Sequence, residues 1–148
     1  MGKIGKHGRK HATDVKTKSL SNAYTRNDKK FSWSLERVFW AHDGWRHCRS
    51  LQEFAENIIA KLQNFETQTW QEILNASGGK SEGHGNNNHF ISADKLPRAE
   101  RQDFIRCGYM EDYEQVFSLR LSAMERLIGI VDMRRFYILW YDAAHEFF

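Results

Sequence analysis

The stretch that decides the fold is Val116-Phe-Ser-Leu-Arg-Leu-Ser-Ala-Met-Glu-Arg-Leu-Ile-Gly-Ile-Val-Asp-Met-Arg-Arg-Phe-Tyr-Ile-Leu-Trp-Tyr141. It contains three apolar-rich segments, residues 116–122, 126–131 and 135–141, with three residues between each segment and the next. In the first segment apolar and polar residues alternate, which is the period of a strand that buries one face. Short gaps between such segments indicate hairpins. The sequence therefore predicts a C-terminal antiparallel β-meander.

A strand and helices are predicted to precede this meander. Phe31, Trp33 and Leu35 alternate with polar residues, as one face of a first strand would, and residues 41–49 are predicted to form a loop. Further patterns predict helices over residues 51–65 and from Trp70, a short strand over 89–92, and a helix over 96–107 that Gly108 ends. The predicted fold class is α+β, with an N-terminal strand and helices packed on the meander.

Two capping boxes support the first two helices. Ser50 is followed three residues later by Glu53, and Thr69 by Glu72. In such a box the hydroxyl accepts a hydrogen bond from the N–H at the third position, and the carboxylate of that residue reaches back toward the cap. After Ser50, apolar residues recur at i, i+3, i+4 and i+7, so the helix over residues 51–65 is predicted to be amphipathic.

Charge divides the chain into a basic N-terminus and an acidic remainder. Residues 1–30 contain nine Lys/Arg and two Asp, a net charge of +7, which leaves thirteen Lys/Arg and seventeen Asp/Glu, a net of −4, in residues 31–148. The few apolar residues of the first segment have no regular period, so ordering it would cost more conformational entropy than burial returns. We predict a disordered basic tail over residues 1–30 and a single α+β domain over residues 31–148.

The basic tail has two interpretations. Lys3, Lys6, Arg9 and Lys10 can contact the phosphates of a nucleic acid, because each neutralised phosphate releases counterions. Alternatively, the tail only keeps the protein soluble.

The sequence predicts neither a metal site nor a membrane span. Cys48 and Cys107 lack the spacing of a zinc site or a disulfide scaffold, and His84 and His89 lie in a Gly/Asn-rich stretch rather than on a helix. No apolar run reaches the roughly 18 residues of a membrane span, and the N-terminus lacks the apolar stretch of a secretory signal. We therefore expect a cytoplasmic protein with no metal or other cofactor and no membrane partner.

The residues most suggestive of chemistry are Arg120, Arg126 and His145, with Ser118 and Tyr141 nearby in sequence. If the strands pair as consecutive hairpins, both guanidinium groups converge on one face of the sheet, and His145 reaches the same rim. Attack of a ribose 2′-hydroxyl on its phosphate needs charge stabilisation, orientation and proton transfer, which arginines and a histidine supply. The alternative is an ordinary solvated sheet face that carries arginines.

Residues 116–148 resemble the C-terminal half of the RelE/ParE-like toxin superfamily, whose pattern is a strand with alternating basic residues, a short turn, an Arg-led strand, a hairpin and a last strand before a basic or His-bearing end. The chain is also similar to a group of uncharacterised phage and mobile-element proteins that begin with an FSW or FSF strand and end in LW-x-D-x-x-H. The resemblance covers about 33 residues, and the order of the preceding helices is compatible with the superfamily.

The resemblance to RelE-like toxins implies an mRNA-cleaving endoribonuclease that works without metal, often on the ribosome, and that a partner antitoxin neutralises. It implies that Arg120 contacts a phosphate, that Arg126 stabilises the transition state, and that His145 is a further catalytic residue. Ser118 stands where these nucleases often carry a second basic residue, which is a departure from the pattern. Ser118, Tyr141 and the tail cations are then expected to contact substrate.

Two functions follow as hypotheses. The first is a RelE-like ribonuclease toxin that acts on RNA or the ribosome. The second is a noncatalytic binding module on the same scaffold, which engages a protein or nucleic-acid partner, for example in conflict between phage and host. The net-acidic body and the absence of a second basic residue at Ser118 favour the second hypothesis.

Overall fold

A computed structural model describes residues 28–76 and 87–148. Five strands in these ranges form one sheet in the order β1-β5-β4-β3-β2. The strands are β1 Ser32–Ser34, β2 His89–Ser92, β3 Gln115–Arg120, β4 Arg126–Asp132 and β5 Arg135–Asp142. β1 runs parallel to β5, and the other neighbouring pairs are antiparallel. The predicted first strand, the short strand at 89–92 and the C-terminal meander are therefore confirmed, as is the α+β class.

The β4–β5 hairpin has an irregular register at Gly129. A register shift lies between Ile128 and Gly129, and Leu139 on β5 is the residue passed over. A Cβ at Gly129 would lie 2.0 Å from the carbonyl oxygen of Tyr137. Only glycine therefore fits where the two backbones approach each other at this irregularity.

Four helices accompany the sheet in the described ranges. Helix α1 has an α-helical start, Leu51–Phe54, a π-helical segment, Ala55–Ile59, and an α-helical end, Ala60–Phe65. The others are α2 Trp70–Asn75, α3 Arg98–Arg106 and α4 Tyr109–Asp112. Gly108 has a φ of 79°, in agreement with its predicted role at the end of α3.

Both predicted caps form. The Ser50 hydroxyl accepts the Glu53 N–H at 3.1 Å, and the Glu53 carboxylate accepts the N–H of Arg49 at 2.9 Å. The Thr69 hydroxyl accepts the Glu72 N–H at 3.2 Å. The stretch predicted as a loop over residues 41–49 contains a 3-10 helix, Asp43–His47, because the His42 side chain accepts the N–H of Gly44 and so caps a turn.

Helices or turns cover both faces of the sheet. On one face α1, α2 and the Asp43–His47 turn supply a core around Trp45, Ile58, Leu62, Trp70 and Ile73, which packs on Phe117, Leu119, Leu127, Phe136, Ile138 and Tyr141. On the other face α3 and the chain around it pack Leu96, Phe104 and Tyr113 on Val116, Ile128, Ile130, Leu139 and Trp140. Of the two interpretations of the arginines, the solvated sheet face does not apply to most of this face, because the second helical layer covers it.

The described chain begins beside the sheet, within the segment predicted as tail. The Lys29 carbonyl accepts the N–H of Trp70 at 2.9 Å, and Lys30 forms an isolated bridge with Thr69. The tail cations Lys3, Lys6, Arg9 and Lys10 lie outside the described residues. In residues 28–76 and 87–148 no helix is both long and apolar enough to cross a membrane.

Candidate functional site

Arg120, Arg126 and Asp142 form a row across one end of the sheet. Arg120 on β3 is the cross-strand partner of Arg126 on β4, and Arg126 is in turn the partner of Asp142 on β5. Directly opposed residues place their Cβ atoms about 4.5–5.5 Å apart on the same face of a sheet. The structure thus brings together the two arginines that the sequence predicts to converge, and it places the carboxylate of Asp142 beside them.

Both arginines also hold the turn between β3 and β4. Nη1 of Arg126 donates to the carbonyls of Ser122 at 2.7 Å and Glu125 at 3.0 Å, and the side chain is almost buried. Nε of Arg120 donates to the same Ser122 carbonyl at 3.1 Å, and its Nη1 donates to Oδ1 of Asn87 at 2.7 Å. The shared Ser122 carbonyl therefore draws the two guanidinium groups to one place.

The electrostatics of the row favour an anion. Burial lowers the pKa of Arg126 and the positive charge of Arg120 lowers it further, while Asp142 acts in the opposite direction. Like charges directly opposed on a sheet repel each other. A phosphate placed between the two guanidinium groups would remove this repulsion, because arginine N–H groups match phosphate oxygens in geometry and charge.

Asp142 organises the chain that follows β5. Its carboxylate oxygens accept the N–H of Glu146 at 2.8 Å and that of Phe147 at 3.0 Å, and only 4% of the residue is exposed. His145 lies within this turn, is exposed and has a φ of 57°, in the left-handed region. No hydrogen bond or ion pair in the described part of the chain joins His145 to Arg120 or Arg126. The structure thus places His145 in the turn that follows the Asp142 end of the row.

Tyr141 belongs to the other side of the sheet. Its neighbour Asp142 is in the arginine row, so Tyr141 points to the opposite face, where it is buried in the core beneath α1. Its hydroxyl donates to the Glu125 carboxylate, which also accepts Ser122 Oγ at 2.7 Å and lies 3.5 Å from Lys61 Nζ. Tyr141 is therefore buried on the face of the sheet opposite the row, and its predicted contact with a substrate stays a prediction.

The Glu125–Tyr141 contact shifts both pKa values. Burial tends to raise the pKa of Glu125, but hydrogen bonds from Tyr141 and Ser122 and the charge of Lys61 outweigh it, so this pKa is lowered. The pKa of Tyr141 is raised, first by burial and then by its hydrogen bond to Glu125. Glu125 is therefore held as a carboxylate and Tyr141 as a neutral phenol, which fastens the β3–β4 turn to β5.

A cavity of about 300 Å³ adjoins the Asp142 end of the row. His42 lines it and is fixed at both nitrogens: Nδ1 accepts the N–H of Gly44 at 3.1 Å, and Nε2 lies 2.9 Å from Oε1 of Glu100. Since Nδ1 accepts, Nε2 carries the hydrogen that is donated to Glu100. No local sequence pattern predicts this pair, because 58 residues separate His42 from Glu100.

The remaining expected site residue is buried. Ser118 is 3% exposed and lies within the sheet between His89 on β2 and Ile128 on β4. Within residues 28–76 and 87–148, no three His, Cys, Asp or Glu side chains are placed to share a metal ion.

Comparison of the chain with protein-family models, with curated proteins and with solved structures finds no match. The relation to RelE-like toxins stays a prediction from residues 116–148.

Proposed function

We propose that the chain binds RNA at the Arg120–Arg126 end of its sheet and cleaves it as a metal-independent endoribonuclease of the RelE-like toxin type. The observation that carries the proposal is the cross-strand pairing of two arginines beside one shared carbonyl. Two adjacent, partly desolvated guanidinium groups are an arrangement that a phosphate stabilises. The resemblance of residues 116–148 to these toxins supplies the type of reaction.

The proposed reaction is attack of a ribose 2′-oxygen on the adjacent phosphorus. The P–O bond to the next nucleotide breaks, which leaves a 2′,3′-cyclic phosphate and a free 5′-hydroxyl. Arg126 and Arg120 stabilise the negative charge that develops on the phosphate oxygens. His145, in the turn that Asp142 holds, exchanges the protons that leave the 2′-hydroxyl and reach the 5′-oxygen. An antitoxin partner and action on ribosome-bound mRNA belong to the same proposal.

One observation favours a second function, a noncatalytic binding module on the same scaffold. Nη1 of Arg126 and both Nε and Nη1 of Arg120 already donate to protein oxygens, and no hydrogen bond within the described residues joins His145 to either arginine. A module of this kind would use the row to hold a partner without reacting with it.

The test combines expression in bacteria with cleavage in a tube. Induction of the chain should arrest growth, and the purified chain should cut RNA, with or without ribosomes, in the presence of a chelator. Arg126→Ala should abolish both effects. Because Arg126 also holds a turn, Arg120→Lys and His145→Gln serve as further variants, and thermal unfolding establishes that each variant is folded.

Arg98→Ala is the matched control, since it removes one positive charge from an exposed position on α3. This variant should arrest growth and cleave RNA as the parent does. Harmless expression of the parent together with intact RNA under all these conditions would refute the nuclease. If the parent binds RNA without cutting it, and the folded Arg126→Ala variant no longer binds that RNA, the binding module is the correct function.

A further inference from the structure

A second basic site lies at the opposite end of the sheet, where the β4–β5 hairpin turns. A cavity of about 490 Å³ there is lined by four cations, which are Lys29, Lys30, Arg134 and Arg135. The other described residues of its wall are Ser32, Met133, Tyr137 and Asp132, and among these described residues only Asp132 carries a carboxylate. β4 spans Arg126–Asp132, so at about 3.3 Å per residue this cavity lies about 20 Å from the arginine row.

The hairpin turn that carries Arg134 is strained and firmly held. Met133 and Arg134 have φ values of 52° and 66°, the conformation of a tight two-residue hairpin for which Asn-Gly is favoured. Residues other than glycine rarely adopt this region, because their Cβ atom lies too close to the following carbonyl oxygen. The Arg134 carbonyl accepts Trp70 Nε1 at 2.9 Å and the Ser32 hydroxyl at 3.3 Å. The turn thus carries Met133 and Arg134 in a backbone conformation that Asn and Gly adopt at a lower free-energy cost.

Most cations of this cavity differ from those of the arginine row, because their side chains do not already bind protein oxygens within the described residues. Within the described ranges, the side chains of Lys29, Arg134 and Arg135 make no hydrogen bond or ion pair, whereas Lys30 Nζ donates to the Thr67 carbonyl at 2.7 Å. The carboxylate at the cavity, that of Asp132, accepts the Tyr113 hydroxyl at 2.7 Å. The cavity therefore presents unengaged positive charge on a body whose net charge is −4.

We propose that this cavity, the hairpin site, binds the phosphate backbone of a polynucleotide. Two arginines beside two lysines suit phosphate oxygens, and the strand that crosses them needs no particular base sequence. In the sequence, residues 1–27 contain seven Lys/Arg against one Asp, and this composition favours a long polyanion over a single small anion. The hairpin site does not depend on cleavage at the arginine row.

The experiment measures how the affinity of the full chain for a single-stranded RNA of about 20 nucleotides depends on salt. Each phosphate contact contributes about 0.7 to the slope of log K against log[salt] for single strands. Arg134→Asn/Arg135→Ala should therefore lower the magnitude of the slope by about 1.4 and weaken binding at low salt. Asn is chosen at residue 134 because it tolerates the left-handed conformation.

Arg98→Ala/Arg101→Ala is the control, because it removes the same charge from exposed positions on α3. It should leave the slope unchanged, and Arg134→Lys/Arg135→Lys should largely preserve it. An unchanged slope in the Asn/Ala variant, or an equal fall in the α3 control, would overturn the proposal. If polyglutamate displaces the bound RNA as strongly as unlabelled RNA of equal charge does, the assignment to polynucleotides is overturned. A nuclease-inactive protein that shows the expected slope change would refute cleavage and leave the hairpin site standing.

Discussion

Replacement of Tyr141 by Phe tests whether the Glu125–Tyr141 contact fastens the β3–β4 turn to β5. The change removes one hydroxyl and leaves the buried ring in place. A hydrogen bond to a charged group contributes about 1.5–3 kcal/mol. Glu125 keeps Ser122 and Lys61 as partners and its side chain is 21% exposed, so we expect the lower end, about 1.5 kcal/mol. For the described residues this corresponds to a fall in Tm of about 6 °C.

The loss of unfolding free energy in Tyr141→Phe should depend on pH through Glu125 and Tyr141. The folded pKa of Glu125 lies below its ordinary value of 4.5, so its contribution is present above about pH 4.5 and is lost as pH falls through the folded pKa. The folded pKa of Tyr141 lies above its ordinary value of 10.0, so its contribution is present below about pH 10 and is lost as pH rises. The stability difference between parent and Tyr141→Phe should therefore be largest near neutral pH and shrink on both sides.

Urea unfolding followed by tryptophan fluorescence across this pH range gives the free energies of unfolding. Tyr137→Phe is the control, because Tyr137 lies on the same strand and its hydroxyl makes no hydrogen bond within the described residues. The reasoning is refuted if Tyr141→Phe is as stable as the parent at neutral pH. A difference of constant size from pH 3 to pH 10 would likewise show that the hydroxyl contributes nothing through Glu125.

Two further stability predictions concern the backbone. Gly129→Ala should lower the free energy of unfolding by about 3 kcal/mol or more, because its Cβ would meet the Tyr137 carbonyl oxygen at 2.0 Å; a fall below about 1 kcal/mol in urea unfolding would show that the hairpin relaxes. Ser50→Ala should cost about 1 kcal/mol through the lost cap of α1, and Ser50→Thr should restore most of it. Equal stability of the Ala and Thr variants, measured in the same way, would contradict a capping role.

The sequence predicts those elements whose signal is local. The meander and the caps at Ser50 and Thr69 depend on residues within one turn or one strand of each other, and all form as predicted. Helix α1 shows the limit, because Leu51 occupies the apolar period and yet is 83% exposed. The π-helical segment Ala55–Ile59 interrupts that period, and the wider turn changes which residues of the preceding turn face the sheet. The apolar pattern assumes 3.6 residues in every turn, so it does not predict the exposure of Leu51.

Long-range pairings account for the parts of the fold and the site that the sequence does not predict. β1 lies beside β5 in parallel, across about a hundred residues, and alternation alone does not tell an edge strand where to pair. The adjacency of Arg120 and Arg126 could be proposed from short hairpins, but Asp142 joins the row only through the shifted register of β4 and β5. Similarly, His42 and Glu100 meet only because α3 covers the sheet.

The two basic ends of the sheet differ in whether their cations already bind protein oxygens. For this reason we expect RNA affinity and RNA cleavage to depend on different ends. At the arginine row, N–H groups of Arg126 hold the carbonyls of the β3–β4 turn, so a phosphate there must use the remaining donors or displace a turn carbonyl. At the hairpin site, the side chains of Arg134 and Arg135 make no hydrogen bond or ion pair within the described residues, so they can bind a phosphate without breaking one. The salt dependence of RNA binding should therefore come mainly from the hairpin site, and any cleavage should depend on the row.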